Sequence, residues 1–321
     1  MRPRPSERGA ALLTVLLLVA VMATVSATAL DRISLATRLA GNAAMAGQGR
    51  AWLGMAEQLT AVRLEDMLAA DKARTTLAGN WLGTPRSIAL PDGAQVTAEV
   101  TDAGNCFNLN SLASAGLEGG LFTRPSAVNQ FTALMTMLGI DAGTATQISS
   151  SAADWIDTDS TPLPAGNESG SVPPANRQMA HEGELNSVAG MTPQIAAILR
   201  PWVCALPSDV PTPINVNTLL PEQAPLLAML APGQLDVERA RAVTAQRPAN
   251  GFQSAVEFWK SPGFRGMVIP PDSADQVKVR SSWFRLQARV AAEGQAIGQT
   301  SLLAERNGKV DVVRREWSMG E

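Results

Sequence analysis

The sequence predicts an α+β protein: a long N-terminal helix packed on an antiparallel sheet, with a large, mostly helical domain inserted between the strands. Three observations carry this. An apolar run near the N-terminus passes directly into helical periodicity. Strand-and-turn patterns lie near residues 88–100 and recur only beyond residue 276. The stretch between them is helical and rich in loops.

The helix comes first. Ala10 to Leu30 carries no charge and is flanked by Arg8 on one side and Asp31 and Arg32 on the other. A helical run of about 20 apolar residues matches a hydrocarbon core about 30 Å thick. Arg2, Arg4 and Arg8 against Glu7 place the N-terminus in the cytoplasm, with everything beyond residue 31 across the membrane. Three readings fit this segment. A prepilin peptidase would cut on the cytoplasmic side, after Gly9, leaving Ala10 as the new N-terminus and the helix in place. A secretory signal would be cut beyond the apolar run, beside Ala27-Thr28-Ala29. A plain anchor would be left uncut. Beyond the membrane, Trp52, Met55, Leu59 and Val62 recur at helical spacing and predict the buried stripe, with Arg50, Glu57, Arg63 and Glu65 on other faces. Gly41, Gly47, Gly49 and Gly54 each weaken the helix by about 1 kcal/mol and allow bending. Continuous to about Ala70, the rod would be roughly 90 Å long.

The strands follow. Ile88-Ala89-Leu90, the turn residues Pro91-Asp92-Gly93 and the alternating Gln95 to Val100 read as a hairpin. Gln276–Val279, Trp283–Val290 and Leu302–Arg306 read as strands, and Asn307-Gly308 as a type I′ turn into Lys309–Val313. Between the two sets, short helices are predicted at Val128–Leu138, Pro193–Leu199, Glu222–Leu230, Val237–Ala245 and Ser254–Lys260. An internal echo stands out: Phe107-Asn108-Leu109-Asn110-Ser111-Leu112 matches Ile214-Asn215-Val216-Asn217-Thr218-Leu219 in residue type. Asn and Ser/Thr at such places cap helices, so each copy predicts the start of a small helical module.

Composition narrows the function. The net charge of −3 on 321 residues gives no long-range attraction to nucleic acid or anionic lipid. Cys106 and Cys204, both on the exported side, are expected to join in an oxidising compartment, the alternative being two separate buried thiols. A bond closing so long a loop stabilises by roughly 4–5 kcal/mol, less any native strain. His181 is the lone histidine, and His181-Glu182-Gly183-Glu184 lacks the second histidine of a zinc-protease helix, so no catalytic residues are expected. Asp154, Asp157 and Asp159, with Glu168 beyond a Pro/Gly loop, suit either a hard cation such as Ca²⁺ or a solvated acidic loop without EF-hand spacing.

Five segments, in their order and spacing, resemble the minor pseudopilin K family (GspK) of type II secretion systems: Arg8-Gly9-Ala10-Ala11-Leu12-Leu13-Thr14-Val15-Leu16-Leu17, Cys106-Phe107-Asn108-Leu109-Asn110, Ala153-Asp154-Trp155-Ile156-Asp157-Thr158-Asp159, Pro213-Ile214-Asn215-Val216-Asn217-Thr218 and Gln246-Arg247-Pro248-Ala249-Asn250-Gly251-Phe252. The resemblance runs essentially end to end. It implies a pilin-like fold divided into a leader (1–9), a transmembrane segment (10–30), the rest of the helix (31–70), a first sheet part (71–110), an insertion of two related helix-hairpin-helix or SAM-like modules (111–271) and a second sheet part (272–321). It implies cleavage between Gly9 and Ala10 by prepilin peptidase. The bulk would lie in the periplasm, anchored in the inner membrane and carried at the tip of a pseudopilus with minor pseudopilins I and J, and with H as a further partner.

The resemblance also tips the acidic loop toward calcium, one or two ions on Asp157, Asp159 and Glu168 with Asp154. The family's loop is more acidic and carries tyrosines where Gly166-Asn167-Glu168-Ser169 stands here. Most pseudopilins have glutamate as the fifth residue after the cut; Thr14 in that place reads either as the mark of a tip subunit or as a tolerated small polar residue. A minor pilin of a type IV pilus is the nearest alternative. Ile214 to Phe252 also looks like the helix-hairpin-helix units of DNA-uptake proteins. There, however, Pro232 removes a donor beside Gly233, and Arg239, Arg241, Arg247 and Lys260 are balanced by Glu222, Asp236, Glu238 and Glu257, so no nucleic acid is expected as partner.

Overall fold

The computed structural model describes residues 5–89, 95–117, 119–168, 173–292 and 295–320. The turn expected at Pro91-Asp92-Gly93, Ser169 and the first four residues of the leader lie outside them. Helix α1 (Pro5–Ala70) runs unbroken through all four glycines, about 100 Å at 1.5 Å per residue. Residues 12–44 are exposed along their length, and among the described residues this is the one helix long and apolar enough to cross a membrane. Among the described residues α1 is thus the single candidate membrane anchor, near the N-terminus.

Strands β1 (Arg86–Ala89) and β2 (Gln95–Asp102) follow, antiparallel, with Arg86 opposite Ala98 and Ala89 opposite Gln95. The chain then leaves the sheet at Asp102 and does not rejoin it until Trp283. Small elements fill the interval: β3 (Phe107–Asn108), β4 (Ala113–Ala115), β5 (Leu121–Thr123), α2 (Pro125–Met137), α3 (Ala142–Ile156), α4 (Pro193–Leu199), β6 (Val203–Cys204), β7 (Ile214–Asn215), α5 (Ala224–Ala228), α6 (Val237–Ala245), α7 (Ala255–Trp259), α8 (Pro271–Gln276) and β8 (Val277–Lys278). Strands β9 (Trp283–Ala292), β10 (Gln295–Arg306) and β11 (Lys309–Gly320) complete a five-stranded antiparallel sheet in the order β1-β2-β9-β10-β11. Strand β9 pairs with β2 from Val96 opposite Val290 to Asp102 opposite Phe284, so the chain returns beside the strand it left. The segment between, residues 103–282, is wider at both ends than the expected 111–271. Asn307 (φ 54°) and Gly308 (φ 82°) form the tight β10–β11 turn that their types demand.

The helix buries a different face from the expected one. Leu53, Ala56, Thr60, Leu64 and Leu68 lie against Val96, Ala98, Phe284, Leu286 and Leu303 of the sheet, whereas Met55, Leu59 and Val62 are 41–54% exposed. Glu57, in the middle of that face, hides it in the sequence pattern. Its carboxylate, on the buried face, accepts hydrogen bonds from Gln299 Nε2 (2.6 Å), Ser301 Oγ (2.5 Å) and Arg315 Nε (3.0 Å). A buried charge is tolerated when paired and hydrogen-bonded in this way, and the partners come from β10 and β11, more than 240 positions away.

A second core fills residues 103–282, with Phe107 stacked on Phe131 (centroids 4.7 Å apart) and Phe258 edge-on to Phe252. The Cys106–Cys204 disulfide joins the residue before β3 to β6, and its cysteines pack with Leu206 and with Leu302 of the sheet.

The two echo segments are built alike. Each opens on a two-residue parallel pairing, β3 with β6 and β7 with β8. Asn110 then takes the N–H of Met179 on its Oδ1 (2.7 Å) and gives Nδ2 to the carbonyl of the same residue (2.9 Å). Asn217 does likewise with Phe252, at 2.7 and 3.0 Å. Ser111 and Thr218 donate to the carbonyls of Asn108 and Asn215. Helix capping, the sequence expectation, describes Asn108, whose side chain accepts from Asn110 N at the short 3₁₀ turn 109–112. It misses Asn110 and Asn217, which clamp distant backbone.

Candidate metal site

The acidic loop begins at the end of α3. This helix starts at Asp141, whose side chain caps Thr144 N (3.1 Å), and it packs on α2 through Ile148, Ala152 and Ile156. Asp154 is fully buried in its last turn, with Oδ1 accepting Leu163 N–H (3.1 Å) and Oδ2 accepting Asn167 N–H (2.7 Å). The loop folds around that carboxylate so closely at Gly166 that a Cβ there would overlap Oδ2. Asp154 therefore holds the loop's shape.

The other three acids converge. One carboxylate oxygen from each of Asp157, Asp159 and Glu168 lies within 4.8 Å of the other two. Asp157 is buried and Glu168 half-buried, while Asp159 is exposed. Thr123 Oγ1 donates to Asp157 Oδ2 (2.6 Å), and Asp159 Oδ1 accepts Thr161 N–H (2.7 Å). Asp157 Oδ1 and Glu168 Oε1 are buried without a hydrogen-bond partner. Burial pushes the Asp157 and Glu168 carboxyls above the ordinary carboxylate range, and the neighbouring acids push the same way. Thr123 opposes the rise at Asp157.

Converging carboxylates with unpartnered oxygens have the donor chemistry of a hard-cation site. Calcium–oxygen distances of about 2.3–2.6 Å put two ligands on opposite sides of one ion about 4.6–5.2 Å apart, so the spacing fits a single hard cation. Three carboxylates give three to six of its oxygens, leaving room for carbonyls or water. Of the four acids singled out in the sequence, the structure brings three together and gives Asp154 a different task. Thr123 was not singled out; its signal lies in the β5 pairing, which sequence alone does not reveal.

Elsewhere Gly9, Ala10 and Thr14 lie within α1, with Thr14 exposed. His181 stands at the N-cap position of a short 3₁₀ turn, Glu182–Ser187, without a side-chain capping hydrogen bond.

Comparison with known proteins agrees with this architecture. A family model described as type II secretion system (T2SS), protein K matches residues 105–208, and a second of the same description matches 214–280. The type II secretion system protein K of Pectobacterium carotovorum subsp. carotovorum is 32% identical over 98% of this chain and 97% of its own length. The chain belongs to the type II secretion system protein K family. That of Aeromonas hydrophila is 33% identical over 96% of each chain. Among solved structures, a chain of the GspK-GspI-GspJ complex from enterotoxigenic Escherichia coli superposes with a TM-score of 0.72 at 30% identity, over 84% of this chain and 95% of that one. The boundary between the two family matches falls at 209–213, so each match contains one asparagine clamp. Proteins of this family are structural pseudopilins of protein secretion.

Proposed function

We propose that this chain is the minor pseudopilin that joins pseudopilins I and J, and further H, in a complex at the tip of the secretion pseudopilus, without catalysing a reaction. The observation that carries the reading is the likeness to a chain of the GspK-GspI-GspJ complex, which extends over 95% of that chain. The exposed stripe Met55, Leu59 and Val62 supports it. These side chains lie on α1 opposite its sheet and offer apolar area to a neighbouring helix, at roughly 25 cal/mol for each Å² buried.

In this reading prepilin peptidase cuts between Gly9 and Ala10, α1 stays in the inner membrane with its N-terminus cytoplasmic, and the sheet and insertion lie in the periplasm. Asp157, Asp159 and Glu168 hold one calcium ion in the insertion, on the strength of their two unpartnered buried oxygens. The ion supplies positive charge to a loop that otherwise holds its acids together against repulsion. Co-expression tests the assembly: the chain should co-purify with tagged I and J, and a Met55, Leu59 and Val62 to Lys triple variant should be lost from the complex while still folding. Co-purification of that variant at the wild-type level, or absence of the wild type from the complex, would count against the proposal.

A further inference from the structure

The segment that supplies the metal cluster has two sides, and only one faces the acids. Asp157 and Asp159 turn toward Glu168, while Thr158 between them turns the other way. Thr158 N–H donates to the carbonyl of Leu121 (3.0 Å), and its Oγ1 accepts Leu121 N–H (3.0 Å). Two residues on, Thr123 Oγ1 donates to Asp157 Oδ2. Both residues belong to β5, the second strand of a small hairpin in which Ala113, Ser114 and Ala115 pair with Thr123, Phe122 and Leu121. Gly120, at φ +88°, comes so close to Thr158 Oγ1 that a Cβ there would press on it. The first strand is held from elsewhere, by Ala115 N–H to Asp209 Oδ2 (2.8 Å). At the tip Leu117 is fully exposed, and Phe122 is half exposed.

We propose that cation occupancy of the Asp157–Asp159–Glu168 cluster sets the order of the β4–β5 hairpin, fixing its apolar tip in the metal-bound protein and loosening it in the metal-free one. The inference rests on the reading that this cluster holds a divalent cation. Thr123 takes one oxygen of Asp157 and leaves Oδ1, buried and unpartnered, for the ion. Without the ion, the three carboxylates repel one another in a partly desolvated loop. Segment 157–159 relieves that repulsion by moving apart, and the bonds from Thr158 and Asp157 to β5 go with it. With the ion in place, the same bonds become the hairpin's anchor. The coupling is reciprocal, since whatever orders β5 also favours the ion.

Hydrogen exchange by mass spectrometry on the full chain in detergent, with saturating calcium or with chelator, reads this directly, alongside calorimetric titration with calcium. Amides of residues 119–123 should lose protection about tenfold on chelation, the factor that one hydrogen bond to a charged group supports. Those of α6 and α7 should not change. Thr123→Val should still bind calcium, yet its hairpin should stay poorly protected in both conditions, and Thr123→Ser should restore the response. Thr158→Val provides a second, independent break in the same link. Calcium binding with unchanged hairpin protection overturns this inference alone, as does a wild-type response in both Thr123→Val and Thr158→Val. Absence of calcium binding overturns the metal reading and this inference with it.

Discussion

Asp154 and Asp157 stand three positions apart at one helix end and do opposite work. Asp154 spends both oxygens on loop backbone, whereas Asp157 keeps one oxygen bare. Their replacements should therefore part ways. Asp157→Ala should erase the rise in melting temperature that calcium gives the wild type, a stabilisation of about 2.7 kcal/mol at a hundredfold excess over Kd. Asp154→Ala should lower the melting temperature with or without calcium, because the loop itself loses its fastening. Thermal melts of both variants with calcium and with chelator check this; a calcium response retained in Asp157→Ala would refute the ligand assignment. Asp102 makes a third case. It ends β2 where the chain leaves the sheet, accepting hydrogen bonds from Thr218 Oγ1 (2.6 Å), Ser281 Oγ and Gly104 N–H (2.9 Å). Burial pushes its carboxyl above the ordinary range, and the hydrogen bonds only partly offset this. A carboxyl raised in the folded state favours folding below its unfolded value, about 3.9, and that contribution is lost as pH rises through the folded value. Asp102→Asn removes this titration. The stability of the variant relative to wild type should rise with pH across that window in urea melts, and a constant difference would show that Asp102 does not titrate there.

At the scale of elements, α1 shows which choices a sequence makes locally and which it leaves to distant partners. Gly54 has open space where a Cβ would go, whereas at Gly49 a Cβ would press on the end of Ile297. Gly54→Ala should thus stabilise the folded head by about 1 kcal/mol through helix propensity. Gly49→Ala should lose that gain to the shift forced on Ile297. Equal gains in denaturant melts would show that the helix and sheet are not so closely packed at Gly49. The helix itself was legible, as were α4, α6 and the Asn307-Gly308 turn, because each is written in consecutive residues. The buried face of α1 was not, since Glu57 reads as a surface charge until Gln299, Ser301 and Arg315 arrive from the other end of the chain. Helix α3 was missed for a related reason. Its Ser149-Ser150-Ser151 run and its glycine argue against a helix locally, and burial against α2 overrides them. The candidate site was legible as a cluster of acids. Which acid holds the loop and which ones converge with open oxygens depends on Leu163, Asn167 and Thr123, contacts that no spacing rule contains.

The whole molecule is a rod with a wide head, and the two ends argue the same position in an assembly. Residues 12–44 of α1 are exposed throughout, available to lipid or to neighbouring helices. A glutamate in that apolar stretch would be costly unless paired, and in the proposed stack the N-terminal amine of the subunit above would pair it. This chain has Thr14 at that place. A threonine needs no partner from another subunit, because its hydroxyl can bond its own helix, as Thr24, Thr28 and Thr37 do further along α1. A subunit with nothing to ask of a neighbour above suits the last place in the stack; once cut after Gly9, as proposed, its Ala10 amine would still serve a glutamate from below. The head points the same way: residues 103–282 form a body with its own core, joined to the sheet at Asp102 and Trp283. Repeating that body along a closely stacked shaft would crowd it, and placing it once at the end does not. Immunogold labelling of isolated pseudopili should mark this protein at one end only. Label spaced regularly along the shaft would mean that neither Thr14 nor the insertion confines it there.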